Sequence, residues 1–416
     1  MGEICIKPHK LHGTVQAPPS KSMAHRALIC AALSATPCTV QGISDSKDME
    51  ATLACLKALG YSMQRNGDTV SSSVGRRDVQ KAVLDCGESG STLRFMIPVA
   101  AALGVVTEFT GKGRLPQRPI GPYENAFSGK GVTIETEDGH LPMRIMGKLE
   151  DGTFNIPGDI SSQFITGLLL AAPLVQNDME IILTTPLESE PYVDLTIDVL
   201  KAFHADIRKT GNGYFVRKGQ TLRNIHYTVE GDYSQAAFFL AGGAIQGCAT
   251  VSNLNRDSKQ GDRAIVNLLR QFGADIQQEG DTVTCRHRKL HGINIDASQI
   301  PDLVPVLAVT GAYASGTTRI YHATRLRLKE SDRLAATKDM LQKLGADIET
   351  TDDGLLIQGK NILHGGRCGA WNDHRIAMAG AIAGMCSETG AIIEGYECVK
   401  KSYPGFFDDL LELGGD

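Results

Sequence analysis

Between Arg325 and Arg333 the sequence reads Arg-Leu-Arg-Leu-Lys-Glu-Ser-Asp-Arg, and the apolar spacing from Leu334 to Leu344 makes the next stretch a helix. Ser331 and Asp332 are helix-start residues, yet Lys329 and Arg333 crowd positive charge onto a helix end whose free N–H groups are already partly positive. An anion placed there would relieve the repulsion. Glu330 adds a carboxyl group that can move a proton, so the chemistry suggested is proton transfer on an anionic substrate. Taken alone, the stretch reads equally well as a solvated basic turn.

The same design recurs along the chain. Ser20-Lys21-Ser22-Met-Ala-His-Arg26 follows two prolines, and Gly87-Glu-Ser-Gly90-Ser-Thr-Leu-Arg94 opens another apolar helix, with Gly90 allowing close approach of a ligand to the backbone. Ser161-Ser162-Gln163, Ile-Pro-Asp302 and Trp-Asn-Asp373-His-Arg375 stand at three further helix starts, while Asp232-Tyr-Ser234 has a cap without a base. Arg114 and Arg118, and Lys400 and Lys401, add cations in Gly- and Pro-containing loops. A single Ser, Asp or Gly here reads as a cap. Lys21, Arg26, Arg94 and Arg375, in the first turns of apolar helices, are costly to bury without a partner. Carboxylates such as Glu88 or Asp373 could supply that partner; the recurrence favours a shared anionic ligand.

These helix starts belong to a unit that repeats about every 70 residues, longer than the usual solenoid periods. One helix of each unit is amphipathic and ends in a Leu-x-x-x-Gly pattern or a close variant: Leu56 to Gly60, Phe127 to Gly131, Leu200 to His204, Leu269 to Gly273, Leu341 to Gly345 and Leu410 to Gly414. The other is apolar nearly all round, which places it inside the fold: Ala27 to Leu33, Leu93 to Leu103, Phe164 to Val175, Ala236 to Ile245, Leu303 to Tyr313 and Ile376 to Met385. Six such units with short strands make an α/β protein of two three-unit domains, divided near Val229-Glu-Gly-Asp232.

The totals agree with an enzyme-sized globular protein of more than one domain: 416 residues, 42% hydrophobic and 21% charged. A net charge of -5 and 6% aromatics argue against nonspecific nucleic-acid binding. The ten cysteines are scattered without a C-x-x-C pair, as in a reduced, cytoplasmic protein. Gln235 to Asn255 carries Gly, Gln, Ser and Asn, so it is expected to be a buried helix and a strand and not a membrane span. Phosphate-loop, dinucleotide and nucleophile-elbow motifs are missing, and the His9/His12 and His287/His291 pairs read as solvated histidines.

Pro-Pro-Ser-Lys21-Ser-Met-Ala-His-Arg26, Arg-Leu-Arg-Leu-Lys329-Glu-Ser-Asp-Arg333 and Asn-Asp-His-Arg375 together resemble the 5-enolpyruvylshikimate-3-phosphate synthases over nearly the whole chain. The resemblance implies a two-domain inside-out α/β barrel that closes around its ligands, with residues 19–229 in one domain and residues 1–18 plus 230–416 in the other. It also implies the reaction: the carboxyvinyl group of phosphoenolpyruvate moves to the 5-hydroxyl of shikimate 3-phosphate and phosphate leaves. Matching motifs assign Lys21, Ser22, Arg26, Ser161, Ser162, Gln163, Ser189, Tyr192, Asp302 and Lys329 to shikimate 3-phosphate. Phosphoenolpyruvate would take Lys21, Gly90, Arg118, Gln163, Arg333, Arg375 and Lys401. The catalytic set implied is Asp302, which accepts the hydroxyl proton, with Glu330, Lys21 and Lys329. No metal or cofactor, nucleic acid or membrane is expected, and the working form is expected to be a monomer. Where many relatives have Asn-Ala-Gly-Thr this chain has Glu88-Ser-Gly-Ser91, and Arg325 replaces an asparagine.

The nearest rival is UDP-N-acetylglucosamine carboxyvinyltransferase, which carries Lys-Asn where this chain has Lys21-Ser22 and a loop cysteine absent between Gly111 and Arg118. A noncatalytic anion-binding protein on the same fold would have no use for Asp302, Lys329 and Glu330 together. An RNA-end-processing enzyme would need a nucleotide-accepting His or phosphate loop, and neither is seen.

Overall fold

The computed structural model describes residues 2–150 and 152–414. They fall into two compact units, Pro19–Val229 and the pair of segments Met1–Pro18 with Glu230–Asp416. Each unit has its own hydrophobic core.

The helices in chain order are α1 (Lys21–Leu33), α2 (Lys47–Ala58), α3 (Gly90–Leu103), α4 (Gly121–Ala126), α5 (Ser162–Ala171), α6 (Glu190–Ala202), α7 (Tyr233–Ile245), α8 (Ile265–Phe272), α9 (Val304–Tyr313), α10 (Arg333–Lys343), α11 (His374–Met385) and α12 (Phe406–Glu412). Odd-numbered helices are the apolar ones and lie in the cores; every residue of α7, α9 and α11 is buried. Even-numbered helices are two-faced, as in α8, which buries only Ile265, Val266, Leu269 and Phe272. One expected helix is shorter than its apolar run. Phe164 to Val175 is helical only to Ala171, followed by a 3-10 turn over Ala172–Leu174, because Pro173 has no N–H to continue the ladder.

Each unit carries three sheets of one plan. The strand before an odd helix lies parallel to the strand after it, and an antiparallel hairpin completes the sheet. Around α3, Lys81–Asp85 pairs with Val106–Thr110, which continues to His140–Gly147 and Val132–Glu137. The plan repeats around α5 and α9. At α1 and α7 the leading strands are exchanged. Leu11–Gln16, just before α1, pairs in parallel with Gly247–Ser252 after α7, whereas His226–Thr228, just before α7, pairs with Cys38–Gln41 after α1. The sheet at α11 has three strands, Glu3–Ile6 lying antiparallel to Ala391–Glu394. The plan brings three odd-helix N-termini in each unit to the ends of leading strands.

Candidate active site

In the unit Pro19–Val229 the expected site residues come from the starts of α1, α3, α5 and α6 and, for Arg118, from the end of the 3-10 turn Leu115–Gln117. Ser20 precedes α1, and Lys21 in its first turn reaches Asp48 in the first turn of α2, Nζ to Oδ2 2.8 Å. Arg26, one turn further and 2% exposed, is held by neutral groups. Its Nε donates to Thr196 Oγ1 at 2.8 Å, one Nη to the Tyr192 carbonyl at 2.9 Å and the other to the Ser22 carbonyl. The Phe95 ring lies 5.0 Å from its guanidinium carbon. Among the described residues no carboxylate pairs with it. Burial brings its pKa down to about 10, so it stays charged at neutral pH.

α3 begins at Gly90 behind the Ser89 cap, whose Oγ accepts from Thr92 N at 3.2 Å. A Cβ on residue 90 would stand 2.5 Å from Arg118 Nη1, so glycine lets the guanidinium lie across this helix start and any side chain here would make it shift. Gln163, in the first turn of α5, accepts from Arg94 Nη1 at 2.6 Å and donates to Ser91 Oγ at 2.9 Å. Ser161 caps α5, with Ser162 buried beside it, and Ser189 opens α6 with a left-handed backbone, φ 56°. The backbone of Arg94 is also held from outside its own helix. Pro98 offers no N–H to the Arg94 carbonyl, and the Tyr123 hydroxyl takes that place at 2.7 Å.

In the other unit the expected residues form one ion cluster. Asp302 sits in the 3-10 turn Pro301–Leu303 ahead of α9 and accepts from Arg333 Nη1 at 2.8 Å and from Arg375 Nη2 at 3.0 Å. Arg333, at the first position of α10 and 1% exposed, also donates to Glu330 at 2.8 Å and, through Nε, to Asp373 at 2.8 Å. Burial opposes its charge, but Asp373, Glu330 and Asp302 together hold its pKa well above the ordinary value. Burial of Asp373 pushes its pKa up, but the Arg333 charge and hydrogen bond together with the neighbouring His374 bring it below the usual carboxylate value. Lys329 Nζ lies 3.7 Å from Asp302 Oδ1, and burial pulls its pKa down to about 8. Lys401 donates to the Asn372 carbonyl at 2.7 Å, just ahead of Asp373 and Arg375.

The contacts thus join Arg26 with Ser22 and Tyr192, and Gly90 with Arg118, within one unit, where Lys21 meets Asp48 and Gln163 meets Arg94 and Ser91; in the other unit Asp302 meets Lys329, Arg333 and Arg375, and Arg333 meets Glu330. Arg333 and Arg375 do pair with carboxylates, Asp373 among them; Arg26 does not. Sequence reasoning missed three buried polar partners: Thr196, which holds Arg26, Thr52 on α2, and Asp262. Asp262, in the turn Gly261–Ala264, accepts from Ser234 and has its pKa raised to about 7 by burial and then by Asp302. The one sequence signal for it was the base-free helix start at Asp232-Tyr-Ser234, where a carboxylate can stand in place of a cation.

Repeated α/β units whose helix starts carry guanidinium, ammonium and carboxylate groups define a protein suited to anionic substrates. A family model described as EPSP synthase (3-phosphoshikimate 1-carboxyvinyltransferase) matches residues 6–410. The chain is 46% identical to the 3-phosphoshikimate 1-carboxyvinyltransferase of Clostridium kluyveri, over 100% of this chain and 98% of that one. It is 45% identical to the Clostridium acetobutylicum enzyme of the same name, with the same coverage. Among solved structures, the EPSP synthase of Acinetobacter baumannii superposes with a TM-score of 0.83 at 26% identity, covering 100% of this chain and 98% of that one. The chain belongs to the EPSP synthase family. The UDP-N-acetylglucosamine alternative is not favoured by any of these matches.

Proposed function

We propose that the helix-start groups of the two units carry the reaction of this family. The chain transfers the carboxyvinyl group of phosphoenolpyruvate to the 5-hydroxyl of shikimate 3-phosphate, releasing phosphate, in the pathway to aromatic amino acids. In this reading Lys21, Ser22, Arg26, Ser161, Ser162, Gln163, Ser189, Tyr192, Asp302 and Lys329 hold shikimate 3-phosphate, and the buried Arg26 charge, held by neutral groups, supports a phosphorylated acceptor. Phosphoenolpyruvate falls to Gly90, Arg118, Arg333, Arg375 and Lys401, with Lys21 and Gln163 shared.

The chemistry then follows from proton bookkeeping. Asp302 takes the proton of the 5-hydroxyl as its oxygen attacks C2 of phosphoenolpyruvate, and the methylene carbon receives a proton from Glu330 or Lys329. The tetrahedral adduct gives back a proton from the new methyl group, the C2–O bond to phosphate breaks, and the double bond returns. Guanidinium groups offset the charge of the two substrates throughout. Both Asp302 oxygens accept from guanidinium groups, which fixes the orientation of the carboxylate that is to take the proton. Its ten cysteines are free and mostly buried, which suits a reducing cytoplasm. A monomer suffices for this scheme.

The observation that carries the reading is the joining of two proton-transfer carboxylates, Asp302 and Glu330, to one buried guanidinium, Arg333, which simple anion capture does not require. Its test is phosphate release from phosphoenolpyruvate with shikimate 3-phosphate and, separately, with UDP-N-acetylglucosamine, with and without a chelator. Release with shikimate 3-phosphate alone, undiminished by chelation, is expected. Asp302→Asn and Glu330→Gln should each lower kcat by about a hundredfold to ten-thousandfold while the chains stay folded. Parent-like turnover in either removes that residue from its role.

A further inference from the structure

His25 lies on α1 between Lys21 and Arg26 and is fully buried, yet it belongs to neither substrate set. Its Nδ1 is 2.7 Å from Thr52 Oγ1 on α2, and Thr52 Oγ1 is 2.7 Å from Thr92 Oγ1 on α3. Thr92 Oγ1 in turn donates to Ser89 Oγ at 2.8 Å, the same oxygen that caps α3 immediately before Gly90. Three helices are therefore joined by one line of side-chain hydrogen bonds that ends at the cap beside Arg118.

The direction of the line is fixed by counting protons. Thr92 gives its only hydroxyl proton to Ser89, so it must accept from Thr52. Thr52 has then spent its own proton and must accept from His25, which requires the Nδ1–H tautomer. Among the described residues His25 Nε2 is left as a buried nitrogen with no hydrogen-bond partner, and a lone pair there costs less than an unmet N–H. Burial and the neighbouring Lys21 and Arg26 charges all press His25 toward the neutral form that the line demands.

We propose that His25 is a positioning residue for phosphoenolpyruvate: through Thr52 and Thr92 it holds the Ser89 cap, and so the Gly90 helix start against which Arg118 lies. The proposal rests on the reading that Gly90 and Arg118 belong to the phosphoenolpyruvate site. It predicts that cutting the line anywhere raises the KM for phosphoenolpyruvate and spares that for shikimate 3-phosphate. It also predicts that an asparagine at position 25, whose amide N–H can donate where Nδ1–H does, restores the link.

The experiment is a steady-state comparison of both KM values in His25→Leu, His25→Asn, Thr52→Val and Arg118→Ala, with unfolding midpoints measured alongside. Thr52→Val keeps the shape of the side chain and guards against a His25 variant that fails to fold. Expected is a rise of about three- to tenfold in the phosphoenolpyruvate KM for Thr52→Val and His25→Leu, equivalent to one lost hydrogen bond, and near-parent values for His25→Asn. A fall in unfolding midpoint with both KM values unmoved, while Arg118→Ala raises the phosphoenolpyruvate KM, overturns the positioning role and leaves the site assignment standing. Should Arg118→Ala also leave that KM unchanged, the site assignment falls and the proposal with it. Nitrogen-15 NMR of His25 gives an independent reading: protonation on Nδ1 supports the line, and protonation on Nε2 overturns it.

Discussion

Burial lowers the Lys329 pKa to about 8 because its ammonium loses water, and Asp302, 3.7 Å away, restores only part of that loss. The sign of the consequence is set by charge. On the proposed assignment of Lys329 to the acceptor, the cation present below that pH would attract the anionic substrate, and the neutral side chain above it would not. The kcat/KM for shikimate 3-phosphate should therefore fall as pH rises through about 8, and Lys329→Arg, which cannot lose its charge in this range, should move that limb upward. An alkaline limb identical in parent and variant would remove Lys329 from acceptor binding. Gly90 makes a second prediction at this scale. In Gly90→Ala the new Cβ meets Arg118 Nη1 at 2.5 Å, so the guanidinium must shift. Because a displacement of this order misaligns a charged clamp, the phosphoenolpyruvate KM should rise by about ten- to a hundredfold, with that for shikimate 3-phosphate near its parent value. Equal changes in the two would show that Arg118 does not act on one substrate alone.

Elements set where those residues stand, and the pairing of α3 with α5 shows how. Gly167 on α5 faces the Tyr123 hydroxyl and the Arg94 carbonyl so closely that any Cβ would overlap both. Tyr123 Oη bridges the two helices, 2.7 Å from the Arg94 carbonyl and 2.9 Å from that of Phe164. Tyr123→Phe leaves the Arg94 carbonyl without the donor that replaces the missing Pro98 N–H, and should cost about 1–3 kcal/mol in urea unfolding. Gly167→Ala should cost at least as much, since the overlapping carbonyl belongs to a helix and cannot swing aside; a neutral result in either would mean that the helices separate without penalty. The helices themselves were legible because their apolar periodicity is local, and the helix starts because caps, prolines and glycines act over a few residues. What pairs with what was not legible. Arg333 meets Asp302 and Asp373 across 31 and 40 residues of sequence, and the Thr196 hydroxyl that holds Arg26 lies 170 residues away on α6. Thr52, Thr196 and Asp262 look like ordinary surface polar residues in the sequence; only the fold buries them.

At the scale of the molecule, chain continuity and compact unit do not coincide. The unit Pro19–Val229 contains every strand of its three sheets, including His226–Thr228, and its own core. The other unit does not lie within residues 230–416. It needs Leu11–Gln16 as the parallel partner of Gly247–Ser252 and Glu3–Ile6 as the antiparallel partner of Ala391–Glu394, and Ile6, Leu11 and Val15 from those strands enter its core. Without them, two sheets are left with bare inner edges and the core loses three apolar side chains, each worth roughly 1.5–3 kcal/mol when fully buried. That loss is comparable to the whole stability of an ordinary domain, about 5–15 kcal/mol. A fragment spanning residues 19–229 should therefore fold by itself, giving dispersed amide resonances and a cooperative urea transition. A fragment of residues 230–416 should not, until a peptide of residues 1–18 is added or joined to it. The peptide should then confer protease resistance in proportion to its saturation of the fragment. If residues 230–416 fold cooperatively alone, the N-terminal strands are accessories to that core; if residues 19–229 fail to fold, the unit draws stability from outside its own sheets.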